Sequence, residues 1–303
     1  MPGRHSPLAD GQNPAAGAVR RLQITSSRLA TAIFTGEYRS AYRGRGIEFN
    51  EVREYEPGDD IRSIDWNVTA RLGRPFIKRF VEERELTLIL LLDRSASMNF
   101  GTIRATKLEA ATEACSLLAF AALRSHDRMA LLTFGDGEIR YLPPGKGKRH
   151  VLQLIHNAMT PRETRENAAG LGEALEHLQR VIKGKALIFI FSDFLDPLPT
   201  GSLSVAAAKN ESVAVAVSDQ MENDLPNAGI LRLADSESGL LSLVDSSHCS
   251  VRACYKKLAA QHQAECKAAV AATGSAFLEL STTIPPLYPL LRFFRSRQRG
   301  VRR

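Results

Sequence analysis

The stretch LTLILLLDRSASMNF, residues 86–100, constrains the fold more than any other part of the chain. An unbroken aliphatic run, Leu88 to Leu92, ends at once in Asp93, and Ser95 and Ser97 follow at alternate positions. The run is too short to cross a bilayer, and its continuous aliphatic character suits a strand buried on both faces. The polar residues therefore begin where such a strand emerges from a core, and that is where chemistry is expected.

Beyond residue 100 the chain alternates between strand-like and helix-like patterns. In TKLEAATEACSLLAFAALRS, Leu108, Ala111, Cys115, Leu118 and Ala122 recur at helical spacing. RMALLTFG and EIRYLPP are joined across Gly135, Asp136 and Gly137, a hairpin signal. RHVLQLIHNAM and LGEALEHLQRVI read as helices, KALIFIFSD as a second buried strand and ESVAVAVSD as a third. This alternation predicts an α/β fold with a doubly wound, mostly parallel sheet and helices on both faces. Beyond residue 219, GILRLADSESGLLSLVD reads as two strands about a Ser238–Gly239 turn, followed by a long helix carrying Cys254, His262 and Cys266. SAFLELS can supply a last strand, and Pro285, Pro286 and Pro289 break the chain before a final helical piece.

Four stretches are expected: a flexible leader over residues 1–21, a small mixed α+β segment over 22–85 packed on the core, the main domain over 86–284, and a helical piece with an Arg-rich tail over 285–303. In the second stretch, Asp59, Asp60, Arg62, Asp65 and Arg71 crowd around Trp66, which suggests a structural knot held by ion pairs and hydrogen bonds. The leader has no apolar segment of the secretory kind and no run is long enough to span a membrane, so a cytoplasmic protein with reduced cysteines is expected. Cys115 reads as core, and His248, Cys254, His262 and Cys266 match no common zinc spacing. Arg292, Arg295, Arg297, Arg299, Arg302 and Arg303 account for nearly the whole formal net charge of +7. They read as a solvated end, with nucleic-acid binding as the rival.

Ligands of open parallel sheets gather beyond the carboxyl ends of the strands. The first buried strand delivers Asp93 there and the second delivers Ser192 and Asp193, so these oxygens converge if the strands are neighbours. Carboxylates with neutral hydroxyl oxygens make a poor site for a soft metal and a good one for Mg²⁺. Each residue also has a plain structural reading, since Asp can cap a helix and Ser can bond local amides. Two acids meeting at one edge would nevertheless repel unless a cation or hydrogen-bond donors lay between them.

Asp-x-Ser-x-Ser after a buried strand resembles the metal-ion-dependent adhesion site of von Willebrand factor A domains, and DRSASM matches it with Met98 included. IFSDF resembles the later segment of that family that contributes a further Asp. The wider stretch from GRGIEFNEVREYEPGDD through RPFIKRFVEERE, with LPNAGILRLADSESGLLSLVD, VRACYKKL and LELST, resembles the bacterial family called domain of unknown function 58, which has a von Willebrand A-like core. The resemblance implies a divalent cation, Mg²⁺ or else Mn²⁺ or Ca²⁺, held by Asp93, Ser95, Ser97 and Asp193 and docking an Asp or Glu of another protein. It also implies an adaptor or chaperone-like role beside a MoxR-type AAA+ ATPase. Where A domains usually carry a Thr before the helix that here begins LGEALEHL, this chain has Ala169, so the site loses an oxygen unless water, Thr164 or Asn167 replaces it.

No enzyme is expected. Phosphotransfer folds with an Asp nucleophile usually carry a second acid two residues on, where this chain has Ser95. A Gly-x-Ser-x-Gly elbow and a phosphate loop are both lacking, and GKGKRH, residues 145–150, reads as an exposed basic loop. An Asp-dependent phosphohydrolase and a nucleic-acid-binding protein remain the alternatives.

Overall fold

A computed structural model describes residues 28–43, 52–56, 59, 61, 64–78, 85–160, 168–236 and 239–301. The leader, Pro57, Gly58, Asp60, Arg62, Thr164, Asn167, Ser238, Arg302 and Arg303 lie outside these residues.

Strand β3 (Thr87–Asp93) is the middle of the molecule. Leu88, Leu90 and Leu92 enter one hydrophobic core, while Ile89 and Leu91 enter a second on the opposite face. This is the period of two that a strand imposes, and with both faces apolar it appears in the sequence as an uninterrupted run. Parallel neighbours on either side are β4 (Arg128–Phe134) and β6 (Leu187–Ser192), with Leu90 in register with Leu131 and Phe189. β7 (Glu211–Ser218) and β10 (Ala276–Ser281) extend the sheet in parallel beyond β6. β5 (Arg140–Gly145) closes the other edge as the antiparallel half of the expected hairpin. The six-stranded order is β10-β7-β6-β3-β4-β5. The chain starts at β3, runs outward to β5 and returns to β6 on the other side, so the order reverses between β3 and β6 and opens a crevice at their carboxyl ends.

Helices cover both faces, as the alternation predicts. On one lie α1 (Arg28–Arg43), α3 (Lys107–Arg124), α4 (Gly147–Met159) and α9 (Leu287–Val301); on the other lie α5 (Leu171–Val181), α6 (Thr200–Lys209) and α8 (Cys249–Ala272). The start of α3 is legible as Thr106-x-x-Glu109. The Glu109 N–H donates to Thr106 Oγ1 at 3.1 Å and the Thr106 N–H donates to Glu109 Oε2 at 2.9 Å, a reciprocal capping box. A separate hairpin, β8 (Ile230–Ala234) with β9 (Leu241–Asp245), turns at Gly239 as the sequence suggests.

The segment before β3 contains short antiparallel strands, β1 (Val52–Glu54) and β2 (Phe76–Lys78), around α2 (Trp66–Leu72). Asp65 caps α2, accepting from the Val68 N–H at 3.4 Å, and Asp59 accepts from the Glu56 N–H at 2.9 Å. Trp66 is 68% exposed, so it is not the packed centre that the crowded charges suggested.

Three expectations need correction. GKGKRH is not a free basic loop: Gly147 to His150 form the first turn of α4, and His150 Nε2 lies 2.7 Å from the Met129 carbonyl oxygen. Pro289 does not precede the last helix but sits in its first turn, where no intrahelical N–H is needed. The Arg-rich segment is not a solvated end through its described part. Phe294 is fully buried against Phe34, Tyr38 and Tyr42 of α1, Arg295 pairs with Glu37, and Arg297 lies over the rings of Tyr42 and Phe293 while pairing with Glu211. Apolar spacing within α9 outweighs its charge, because the Arg297 guanidinium rests over the aromatics while Arg295 stays half-exposed beside Glu37. Phe294→Ala should therefore cost about 3–5 kcal/mol, read as a lower urea midpoint with unchanged slope.

Candidate functional site

At the carboxyl end of β3, each polar side chain meets a different segment. Asp93 is buried, with Oδ1 accepting from the Ser95 N–H at 2.9 Å and Oδ2 accepting from the Ser192 hydroxyl at 2.6 Å. The Ser95 and Ser97 hydroxyls lie 3.1 Å apart. Met98 is inserted in the core and holds the 3-10 turn Ala96–Asn99 that carries them. Gly135 makes the close approach possible. Its φ is +88°, and a Cβ there would stand 2.6 Å from Asp93 Oδ1 and 2.7 Å from the Ser95 nitrogen.

Arg94, between the site residues, points away from them and is buried. Its Nε donates to Asp136 Oδ2 at 2.8 Å, and its terminal nitrogens donate to the carbonyls of Ala158 at 2.5 Å and Thr160 at 2.7 Å. A guanidinium is thereby matched to the carbonyl end of α4 and to the hairpin turn at once. The alternation in DRSASM thus separates functions, with oxygens toward the crevice and Arg94 and Met98 toward the body.

Asp193, the second expected acid, lies just beyond β6. Its presence pushes the Asp93 carboxyl up, although burial is the larger cause and the bonds from Ser192 and Ser95 act the other way. The two acids do share an edge. Against Asp193 lies a residue that the sequence pattern did not single out: Lys107, the first residue of α3, fully buried with Nζ 2.7 Å from Asp193 Oδ2 and 2.5 Å from Glu222 Oε1. Lys107 had a visible signal, since a lysine opening an apolar helix just past the capping residue is an odd place for a positive charge. Only the fold supplies its partners.

Glu222 belongs to α7 (Gln220–Asn223), and its other oxygen accepts from the Asp219 N–H at 3.0 Å. Asp219 ends the third buried strand, so all three strands deliver an acid to this edge, one more than expected. Its carboxylate accepts from the Thr102 N–H at 3.1 Å, the Thr102 hydroxyl at 2.7 Å, the Thr282 hydroxyl at 2.5 Å and the Met221 N–H at 2.9 Å. Burial pushes this carboxyl up, but the hydrogen bonds outweigh it and hold Asp219 below the usual carboxylate range.

Above these residues opens a cleft of about 1480 Å³, its walls including Phe100, Leu195, Leu198, Leu225, Leu231 and Leu233. Phe194 at its base has φ +52°, an uncommon left-handed conformation for an aromatic residue, and its carbonyl accepts from His262 Nε2 at 3.2 Å. His262 is thus occupied with the loop after β6. Cys266 packs beside the second core, Cys249 and Cys254 are exposed, and Cys115 is buried as expected. Among the described residues no three His, Cys, Asp or Glu side chains group as a metal cage. Ala169 lines the cleft, with its N–H donating to the Gly137 carbonyl and its own carbonyl accepting from the Gly135 N–H, both at 3.0 Å, so its methyl brings no oxygen. The donor set is one carboxylate, hydroxyls and a further acid behind them, hard oxygens that fit Mg²⁺ better than a softer metal.

A doubly wound sheet with Asp-x-Ser-x-Ser at its switch point is a von Willebrand A-like domain. The chain belongs to the family described as "Protein of unknown function DUF58", whose model matches residues 51–265. It is similar to "Uncharacterized protein Rv1480" of Mycobacterium tuberculosis, 31% identical over 94% of this chain and 90% of that one. A shorter likeness, 30% identical over 52% of this chain, is to "Uncharacterized protein MAV169" of Mycobacterium avium, 95% of which is covered. Among solved structures, an aerotolerance-related membrane protein from Bacteroides fragilis aligns with a TM-score of 0.48 at 11% identity, covering 71% of this chain and 99% of that one. The SpRpn10 VWA domain aligns at 0.40 and 12%, covering 69% and 95%. Among the described residues of this chain no helix is long and apolar enough to cross a membrane.

Because the folded-state carboxyl of Asp219 is held low, its contribution to stability is present above the ordinary carboxylate range and is lost as pH falls through its depressed value. Asp219→Asn should lose about 1–3 kcal/mol at neutral pH and flatten the acid limb of a stability-versus-pH curve measured by urea unfolding.

Proposed function

We propose that this protein is a non-enzymatic interaction module whose carboxyl-edge cleft receives an Asp or Glu of a partner protein through a divalent cation. The observation that carries this reading is the Asp93 carboxylate facing the cleft beside the Ser95 and Ser97 hydroxyls, at the point where the strand order reverses. Asp93, Ser95 and Ser97 would hold the cation, Mg²⁺ before Mn²⁺ or Ca²⁺, with Asp193 acting at one remove through water. The cation would supply an open coordination position of positive charge. The protein's own residues hold the oxygens at fixed positions: Ser192 and the Ser95 amide orient Asp93, and the buried Met98 sets the hydroxyls.

The resemblance supports a MoxR-type AAA+ ATPase as the working partner, with this chain as its adaptor or chaperone-like cofactor. Four unpaired cysteines support a reducing, cytoplasmic setting. Packing of α9 weakens the nucleic-acid alternative, since the arginines that motivated it include Arg295 and Arg297, both engaged with acids. The phosphohydrolase alternative lacks a general acid beside Asp93, where Ser95 offers a hydroxyl.

Magnesium titration followed by thermal unfolding tests the reading. Wild type should gain about 2.7 kcal/mol at a hundred times the dissociation constant, and Asp93→Asn should gain nothing. Without magnesium, Asp93→Asn should be at least as stable as wild type at pH 7. Burial raises the Asp93 carboxyl, so its charge costs stability once pH exceeds the ordinary carboxylate range, whereas Asn keeps an acceptor for the Ser95 amide. Equal magnesium responses in both proteins would refute cation binding at Asp93.

A further inference from the structure

Resting on the cation-docking reading, we propose that Lys107 is the residue that makes this site call for an outside carboxylate. Lys107 holds Asp193 from inside the protein, so that carboxylate is kept off a divalent ion on Asp93 and a coordination position is left for an incoming acid.

Asp193 Oδ2 accepts from the Lys107 ammonium at 2.7 Å, and its Oδ1 accepts from the Leu195 N–H at 3.3 Å. Lys107 has no exposed surface, so this pairing does not exchange with solvent as a surface ion pair does. Glu222 holds the ammonium from the other side and is itself fixed by the Asp219 amide. Around the ion's place, Ser95 and Ser97 are neutral and Ala169 contributes a methyl, so Asp93 is the carboxylate beside those hydroxyls, with hydroxyl and amide donors rather than a cation on its oxygens. Asp193 and Glu222 share a single ammonium, so neither carboxylate is free to swing onto the ion. The apolar walls of the cleft strengthen the ion's pull on an incoming acid, because charges in a poorly polarisable surrounding interact more strongly.

The ion and the external acid should therefore bind cooperatively, each weak alone and each strengthened by the other, as linkage requires. The partner's chemistry is set by the same surroundings: an Asp or Glu flanked by apolar side chains that cover Leu195, Leu198 and Leu233.

Lys107→Met, which keeps the length of the side chain and removes its charge, tests this in the full chain with Mn²⁺ and acetate as probes. Calorimetry reports Mn²⁺ affinity, and water-proton relaxation of the Mn²⁺-loaded protein reports acetate displacing water from the ion. The expected result is a pair of opposite changes: Mn²⁺ binds about tenfold more tightly and acetate about tenfold more weakly than in wild type. Glu222→Gln leaves the Lys107–Asp193 pair in place and removes a nearby negative charge, so both changes should reverse. It decides the matter if Lys107→Met does not fold, and Lys107→Arg should restore the wild-type balance. If both affinities fall together in Lys107→Met and Glu222→Gln, Lys107 is only a structural counter-ion and the inference is overturned. If wild type itself binds no Mn²⁺, the cation-docking reading fails and takes this inference with it.

Discussion

A strand buried on both faces cannot carry charge along its length, because a desolvated carboxylate or ammonium there would have no partner within reach. β3 is such a strand, with Leu88 to Leu92 fully buried between two cores. Its polar residues are forced to the end, and parallel pairing with β6 brings Ser192 to the same level, 2.6 Å from Asp93. The reversal of strand order at that pair parts the connecting loops and leaves a crevice over the oxygens. Position, exposure and convergence of the site all derive from the apolar centre beneath it.

The acids delivered to this edge are each met differently. Asp93 takes a hydroxyl and an amide, Asp193 takes the buried ammonium of Lys107, and Asp219 takes amides and hydroxyls from separate loops. Buried ion pairs add little net stability over apolar packing, though breaking one leaves a costly unpaired charge. Their effect here is to fasten loops of distant sequence: Asp219 ties residue 102 to residue 282, and Arg94 ties the hairpin turn to the end of α4. With those charges satisfied, Asp93 stands beside the cleft with a hydroxyl and an amide on its oxygens rather than a cation of the protein's own.

The family match ends before β10 and begins after α1, yet both belong to the packed body. β10 pairs with β7 in full register, and α1 packs against α9 through Phe34, Tyr38, Tyr42 and Phe294. Without them the first core would lie open on one side. The likeness to the mycobacterial Rv1480 protein, which covers 94% of this chain, extends over these flanking elements as well.

Local pattern alone determined the strands, most helices and the oxygen set at residues 93 to 97, because burial on both faces, helical spacing and a capping box are properties of neighbouring residues. It also placed Asp193 beside Asp93, once strand pairing was assumed. Other features depend on which segments meet. The buried Lys107 between Asp193 and Glu222 joins positions 86 and 115 residues apart. Arg94 turns into the body because Asp136 and the carbonyls of α4 wait there, and Arg297 of α9 lies over aromatic rings rather than in solvent. A charge in a sequence does not say whether water or a buried partner will answer it. That choice rests on desolvation, and desolvation is set only when the chain has folded.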